Sequence, residues 1–298
     1  MRRNTLLLTL FLTGCSAQVS DLDDLEVDQD ACANTGRAAR GTDLDLKFVG
    51  LTPHVGQDMF FAVTVGEDSN IESMFVLSQL EDANLRLVVP KLLPEGPSDL
   101  AFWADSEPTG MFNSIPDMEE SGAIDHQWKR PICPDGKLTF THTTPFQDVQ
   151  HAISTGAVFH FRIPDELSRC ELFERFTMWV TAIQLDDNDL SEEVQTRAYF
   201  RWTPRPICDL DAGMGSSAPA QFQVGGNALG QLRGPIDKRS FYRIEFVIDV
   251  DDDGERGNRD FVCSFEREQA PDSMDWNFEP DVSECDAPSD FDLNDFAR

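Results

Sequence analysis

The sequence predicts an all-β protein built from two antiparallel, immunoglobulin-like β-sandwich domains. Apolar and polar residues alternate with a period of two in several segments after about residue 43, as expected for half-buried strands. Clusters rich in Pro, Gly, Asp and Asn separate these segments, and helical periodicity of any length is missing. A hydrophobic content of 40%, with 22 Phe and 5 Trp, excludes a wholly disordered chain.

The alternation is clearest in four segments. Their apolar positions are Met59, Phe61, Val63 and Val65; Leu138 and Phe140; Phe159, Phe161 and Ile163; and Tyr242, Ile244, Phe246, Ile248 and Val250. Turn clusters lie at 93–97, 134–136 and 225–227, and the segment 164–175 has room for one or two helical turns. We predict a boundary near residue 150, giving β-sandwich domains at 43–150 and 151–286.

A short internal similarity supports this division. The segment from Leu100 to Gly110 aligns with the segment from Ile244 to Gly254. Each is predicted to be a strand that runs into an acidic loop, and each loop reaches a glycine five residues after its first Asp.

The N-terminus has the features of an export signal. Arg2 and Arg3 precede an apolar run at 6–12, which is too short to span a bilayer. The ending Leu12-Thr13-Gly14-Cys15 resembles the lipobox of bacterial lipoproteins. That resemblance implies removal of residues 1–14 and lipidation of Cys15, which attaches the protein to a membrane. Because Ser16 stands where an Asp would mark inner-membrane retention, we expect an exported protein on the outer membrane or cell surface.

Two acidic segments flank the predicted domains. The first, at 15–42, has almost no aromatic residues and is predicted to be a disordered tether; a solvated segment partly held by Cys32 is an equal alternative. The second, at 287–298, is predicted to be an acidic tail. The net charge is −30. Such a field repels nucleic acid and attracts cations, and no basic stripe is present, so nucleic acid is excluded as a partner.

Six cysteines remain once Cys15 is assigned to lipid. An even number in an exported chain predicts disulfides, because the periplasm and the cell surface are oxidising. The sequence allows every pairing; local closure favours Cys170 with Cys208 and Cys263 with Cys285, which leaves Cys32 for Cys133.

An acidic loop follows the last of the alternating segments. Asp249, Asp251 and Asp253 precede Gly254, and Asp260 is the twelfth residue. Carboxylates at positions 1, 3 and 5 converge on a calcium ion where the chain turns at a glycine in position 6. The loop resembles the dockerin and thrombospondin type-3 variants, and a structural calcium is predicted, with Glu255 contributing a backbone carbonyl. The alternative is a solvated acidic hairpin. The matching loop of the first domain has Pro116 at position 12 and is predicted to be empty.

Three motifs of the first predicted domain carry a second resemblance. Gly50 to Gln57 contains His54, Asp125-His126-Gln127-Trp128 contains His126, and Phe140 to Phe146 contains His142. These motifs resemble a β-sandwich module of exported proteins in myxobacteria and Bacteroidetes. The three histidines are candidates for a zinc or copper site, or else are strand residues that hydrogen-bond to backbone.

No nucleophile elbow, zinc-protease helix or phosphate-binding glycine loop occurs in the sequence. Among the tryptophans, Trp276 has the most polar neighbours and is predicted to be the most exposed. We therefore expect no catalysis, and a lipid-anchored surface module that is structural or binds envelope proteins or surface polysaccharide. The alternatives are an exported hydrolase that uses unassigned carboxylates, and a carrier or assembly factor in an envelope complex.

Overall fold

The fold is described from a computed structural model, which covers residues 37–66, 70–105, 126–142, 156–207, 218–225, 234–289 and 291. Within these residues the chain is almost entirely β-structure, so the predicted β-sandwich class is confirmed. The signal and Cys15, the tether up to residue 36, Cys32, Cys208 and the tail from residue 292 lie outside the described residues.

The described residues form fifteen strands, one helix and two 3-10 turns. The helix α1 (Cys170–Arg175) lies where the sequence predicted one or two helical turns, and the 3-10 turns are Thr52–His54 and Val282–Glu284. The strands are β1 (Thr42–Val49), β2 (Asp58–Val65), β3 (Asn70–Ser78), β4 (Leu85–Leu93), β5 (Asp99–Asp105), β6 (His126–Pro131), β7 (Lys137–Thr141), β8 (Val158–Arg162), β9 (Thr177–Leu185), β10 (Glu193–Trp202), β11 (Gln221–Val224), β12 (Phe241–Asp249), β13 (Phe261–Gln269), β14 (Asp275–Phe278) and β15 (Cys285–Asp286).

The strands form one large sheet and two small ones. The large sheet has nine strands in the order β15-β13-β12-β9-β10-β3-β2-β5-β6. The small sheets have the orders β4-β1-β7 and β11-β8-β14. The large sheet is therefore continuous across both halves of the chain, and the boundary predicted near residue 150 falls among residues 143–155, which lie outside the described part of the chain.

The connectivity of β1–β7 repeats in β8–β14. Adding seven to each strand number converts the small sheet β4-β1-β7 into β11-β8-β14, and the half-sheet β3-β2-β5-β6 into β10-β9-β12-β13. The strand directions match as well, since β1 is antiparallel to β4 and parallel to β7, while β8 is antiparallel to β11 and parallel to β14. We call β1–β7 the first set and β8–β14 the second set.

The two sets join through the parallel pair β3 and β10, which are matching strands. A two-fold rotation about an axis along these strands keeps them parallel and exchanges the two faces of the sheet. The small sheets accordingly pack on opposite faces. Phe61 and Val63 of β2 pack in one hydrophobic cluster with Phe48 of β1, whereas Phe60 and Ala62 lie in the other cluster, with β8, β11 and β14.

Two details of the predicted sheets are wrong. The sheets are mixed rather than purely antiparallel, because β1/β7, β8/β14 and β3/β10 are parallel pairs, joined by long connections. The central strands are also not half-buried: Phe60, Phe61, Ala62 and Val63 are all buried. The alternating positions Met59, Phe61, Val63 and Val65 predict one buried face for β2, but here each face has its own cluster.

Aromatic rings fill both clusters. In the first set, Phe61 stacks on Phe75 with ring centroids 4.2 Å apart, and Phe102 meets Phe140 edge-to-face at 4.9 Å. In the second, Phe161 stacks on Phe246 at 5.1 Å. Each such side chain contributes about 1.5–3 kcal/mol by burial. Trp276 belongs to this second cluster and is only 6% exposed, so the prediction of an exposed Trp276 is wrong: its polar neighbours face outward while its ring faces inward on β14.

Candidate functional site

The acidic loop connects β12 to β13, at one end of the large sheet. Asp249 is the last residue of β12 and is buried, whereas Asp251 and Asp253 are exposed. One carboxylate oxygen from each of the three lies within 4.8 Å of the others. Asp105 ends β5 in the same way, and the register places both in matching positions, since Asp105 pairs with Asp58 and Asp249 with Thr177. Residues 106–125 lie outside the described residues.

Backbone amides fold the loop around Asp249. Its Oδ1 accepts a hydrogen bond from the amide of Asp253 at 3.2 Å, and its Oδ2 accepts from Gly254 at 3.0 Å. The chain reverses through positive φ at Asp252 (58°) and Gly254 (76°). A Cβ at Gly254 would meet nothing within 4 Å, so glycine is favoured there by its backbone conformation rather than by space.

The other two predicted ligands are placed differently. Both oxygens of the buried Asp260 accept from loop amides, Oδ1 from Val250 at 3.0 Å and Oδ2 from Gly257 at 2.7 Å, and it is not part of the group of three carboxylates. The amide of Glu255 donates to Asp253 at 2.8 Å. Asp260 therefore closes the loop through two amide hydrogen bonds, and its role as a calcium ligand stays a prediction.

The electrostatics of Asp249 favour a cation. Burial raises its pKa above the ordinary value, hydrogen bonds from Gly254 and Asp253 oppose that shift, and the charge of Asp260 adds to it. The ionised form is thus disfavoured while the charge has no counter-ion, and a cation would reverse the balance. Carboxylate oxygens are ligands that suit a hard cation such as calcium, and the exposure of Asp251 and Asp253 leaves room for water as further ligand.

A chain of ion pairs connects this loop to the first set. Arg256 donates to Glu245 at 2.6 Å, and Arg243 lies 3.3 Å from the same carboxylate. Arg243 also pairs with Glu193, which pairs with Lys91 of β4. No local pattern in the sequence predicts this network, because its members are up to 165 positions apart and meet only once β10 joins β3.

The histidines of the first set lie at a different place. His54, in the 3-10 turn after β1, is buried, and His142 directly follows β7. The two Nε2 atoms are 3.3 Å apart, and Nδ1 of His54 lies 2.8 Å from Oε1 of Gln57. The ring of Trp128 lies against both, with centroids 5.3 Å from His54 and 5.7 Å from His142.

The third candidate, His126, begins β6 two residues before Trp128, and its side chain lies outside the described residues. Sequence reasoning missed Gln57, which touches His54. Its position three residues after His54, at the end of a turn, was the available signal.

Disulfides tie the chain at several points. Cys263 of β13 is bonded to Cys285 of β15, with Cα atoms 4.1 Å apart, which confirms the predicted pairing. Cys133 and Cys170 each take part in a disulfide bond as well. Their predicted partners, Cys32 and Cys208, lie outside the described residues, so those two pairings stay predictions.

Known proteins show little similarity to this chain. No family model and no curated protein matches the chain. Among solved structures, a crystal structure of a "putative cell adhesion protein" from Parabacteroides distasonis ATCC 8503 is similar at 9% identity, covering 84% of this chain and 91% of that chain, with a TM-score of 0.20. A likeness at that TM-score carries no argument about this chain.

In the part of the chain that the structure describes, no helix combines the length and the apolar character that crossing a membrane requires.

Proposed function

We propose that this chain is an exported, lipid-anchored module of the bacterial cell surface, which serves a structural or binding role and is stabilised by one calcium ion. The observation that carries the proposal is the combination of a lipobox-like sequence ending at Cys15 with a disulfide-bonded β-sandwich. Disulfides persist in oxidising compartments, so the bond between Cys263 and Cys285 supports export, and the lipobox supports attachment after export.

Calcium is proposed at the acidic loop. Asp249, Asp251 and Asp253 would supply carboxylate oxygens, and the mutual closeness of these three groups supports the proposal. Three carboxylates repel one another when no cation is present. A bound ion removes that repulsion and orders the loop, whose connection to the sheet runs through Arg256 and Glu245.

The anchor is tested by fractionation. Cys15→Ala is expected to abolish incorporation of labelled fatty acid and to release the protein from membranes, because the lipid is its only proposed attachment. Protease added to intact cells then separates an outward-facing protein, which is cleaved, from a periplasmic one, which is protected. If Cys15→Ala protein stays with the membrane fraction as wild type does, the anchoring proposal is wrong.

Calcium is tested by thermal melts with and without chelator. Free calcium at ~100 times its dissociation constant should stabilise the wild type by about 2.7 kcal/mol. Asp249→Asn/Asp251→Asn should lose this effect. The matched control is Asp186→Asn/Asp189→Asn, which removes the same charge from an acidic turn between β9 and β10; it should keep the full effect. Magnesium should substitute poorly, because it retains its waters.

A wild type that melts at the same temperature with calcium and with chelator, and that shows no heat of binding at millimolar calcium, would leave the loop as a solvated acidic turn. Loss of the calcium effect in the control variant would mean that calcium acts through general charge and not at this loop.

A further inference from the structure

We propose that His54 and His142 form a binding site for a divalent transition-metal ion, with zinc as the test ion, in the first set of strands. The site lies at the junction of the turn after β1 and the end of β7, and its ligand atoms are the two Nε2 nitrogens. It involves none of the carboxylates of the acidic loop, and it does not depend on the function proposed above.

The hydrogen bond to Gln57 selects which ring nitrogen of His54 carries the proton when the ring is neutral. The Oε1 atom of Gln57 is a carbonyl oxygen and accepts hydrogen bonds only, so Nδ1 of His54 must donate at their 2.8 Å separation. In the neutral ring, the lone pair is therefore on Nε2, which is the atom that faces His142. Support of this kind, in which the second ring nitrogen donates to an oxygen, is typical of histidines that bind metals.

The distance between the two rings fits a shared metal ion. At a tetrahedral angle, with Zn–N bonds of about 2.0–2.1 Å, two ligand nitrogens are about 3.3–3.4 Å apart. The Nε2 atoms of His54 and His142 are separated by 3.3 Å. A simple hydrogen bond between the two rings is the competing account of this distance, and it requires that His142 donate from Nε2.

The backbone holds both ligands in place. The amide of His54 donates to the carbonyl of Leu51 at 2.9 Å, and the amide of His142 donates to Val49 at 2.8 Å. His54 is only 3% exposed. The ring of Trp128, 1% exposed, packs against both imidazoles. A site that is rigid before binding loses little conformational entropy when the metal enters.

The second set shows that the fold does not require these histidines. Leu167 lies where His54 does, and its amide donates to Pro164 at 2.9 Å in the same turn. Pro280 lies two residues after Phe278, as His142 lies two after Phe140, and the two Phe occupy matching positions opposite β8 and β1. Neither Leu167 nor Pro280 can bind a metal. The two matching positions thus carry apolar residues, Leu167 and Pro280, in the second set and two imidazoles, His54 and His142, in the first.

The test uses the full-length chain in detergent after removal of metals, with excess calcium present to saturate carboxylate sites. Cobalt(II) reports tetrahedral coordination through its visible absorption, and zinc affinity is measured by competition with a chromophoric chelator. We expect one strong site, intense cobalt absorption and a zinc-dependent rise in melting temperature. His142→Ala should weaken zinc binding at least about tenfold, and Gln57→Ala should weaken it by about tenfold through loss of ring orientation.

Two matched controls accompany these variants. His160→Ala removes a histidine of β8 that pairs with Asp275, and Asp249→Asn/Asp251→Asn removes the acidic loop ligands; both should keep wild-type zinc affinity. If His142→Ala does not fold, His142→Gln is measured in its place, since Gln keeps a polar group at this half-buried position. The proposal is overturned if wild type gives no tetrahedral cobalt spectrum and no zinc-dependent stabilisation, or if the His142 variants bind zinc as tightly as wild type does.

Discussion

The first set of strands places Trp128 opposite Phe102, whereas the second set places Cys263 opposite Phe246, although Phe102 and Phe246 occupy matching positions on β5 and β12. Trp128 packs against His54 and His142 in the first set. In the second set, Cys263 is disulfide-bonded to Cys285 of β15. The same strand connectivity therefore accommodates an aromatic contact with two histidines in one set and a disulfide bond in the other. The inward-facing positions of the strands keep the shared apolar pattern, while the turns and edges carry the distinctive chemistry.

A similar contrast holds for the ends of β5 and β12. Both end in a buried aspartate, Asp105 and Asp249, but the positions that hold Asp251 and Asp253 after the second hold Glu107 and Thr109 in the sequence after the first. The sets are connected through β3 and β10, so they also share one sheet. The following variants test how far the two sets are equivalent and how far they are coupled.

The largest effect is expected from truncating matching core residues. Phe102→Ala and Phe246→Ala should each cost about 3–5 kcal/mol, because both rings are fully buried. Since the large sheet is continuous, both variants should lower the midpoint of one common denaturant transition. Fluorescence and circular dichroism should give the same midpoint in each variant. Two separate transitions, each sensitive to one variant only, would show that the sets unfold independently.

The disulfide of the second set should have the next largest effect. Replacing Cys263 and Cys285 together by Ala should cost about 2–4 kcal/mol in the free energy of unfolding, mainly because the unfolded chain loses a constraint. Urea titration of the variant, beside wild type with and without reductant, measures this cost. The variant should leave zinc affinity at His54 and His142 unchanged, and a stability equal to that of wild type would contradict the expected role of the bond.

A smaller effect is expected at Tyr242, whose counterpart in the first set is Ser98, just before β5. The phenol accepts a hydrogen bond from the amide of Asp237 at 2.8 Å, so Tyr242→Phe should cost about 1 kcal/mol. Burial raises the pKa of this phenol well above its usual value, while the charge of Arg197 opposes the shift.

The raised pKa of Tyr242 makes the free energy of unfolding depend on pH in a definite direction. The folded state holds the phenolic proton more tightly than the unfolded state does, so this contribution is complete below a pH of about 10 and is lost as the pH rises further. Denaturant melts between neutral and alkaline pH should show a fall in stability for wild type that is weaker in Tyr242→Phe. Equal slopes in the two proteins would show that other groups cause the alkaline loss.

The smallest effect is expected on the outer faces of the small sheets, where each set carries a cross-strand ion pair. Arg86 donates two hydrogen bonds to Asp45 in the first set, at 2.9 and 2.7 Å, and Arg162 pairs with Glu279 in the second at 3.3 Å. The hydrogen bond from Arg86 is the main reason that the pKa of Asp45 is lowered.

Because the folded pKa of Asp45 is depressed, its contribution to stability is present above the ordinary carboxyl pKa of about 4 and is lost as the pH falls below it. Arg86→Gln should return the pKa of Asp45 towards its ordinary value in an NMR titration. The melting temperature at neutral pH should hardly change, since both groups are solvated. An unchanged Asp45 titration in Arg86→Gln would mean that the ion pair does not form in solution.

Much of the fold could be predicted because strand patterns are local. The alternation in Phe159, Phe161 and Ile163 correctly identified a strand with one buried face, and the similarity between the segments ending at Gly110 and Gly254 correctly identified matching strands, β5 and β12. The pairing of Cys263 with Cys285 was predictable for the same reason, as only 22 positions separate them.

The acidic loop was predictable as a group of three carboxylates because its spacing is local, and Gly254 marked the turn. The two amide hydrogen bonds that Asp260 accepts were not predictable, because the sequence does not show how a loop distributes its hydrogen bonds. The meeting of His54 with His142 spans 88 positions and depends on the parallel pairing of β1 with β7.

The amino-acid sequence by itself determined where several of the strands lie, that the chain turns at Gly254, and that Asp249, Asp251 and Asp253 lie close together, since all of these follow from neighbours along the chain. The tertiary structure decided that β3 joins β10 in parallel, that the two small sheets cover opposite faces of one sheet, and that Lys91 and Arg256 belong to one ion-pair network. Strand partners are selected by packing between residues far apart in sequence. The two-residue periodicity of a segment shows only that the strand has two faces, and it does not show which elements will cover them.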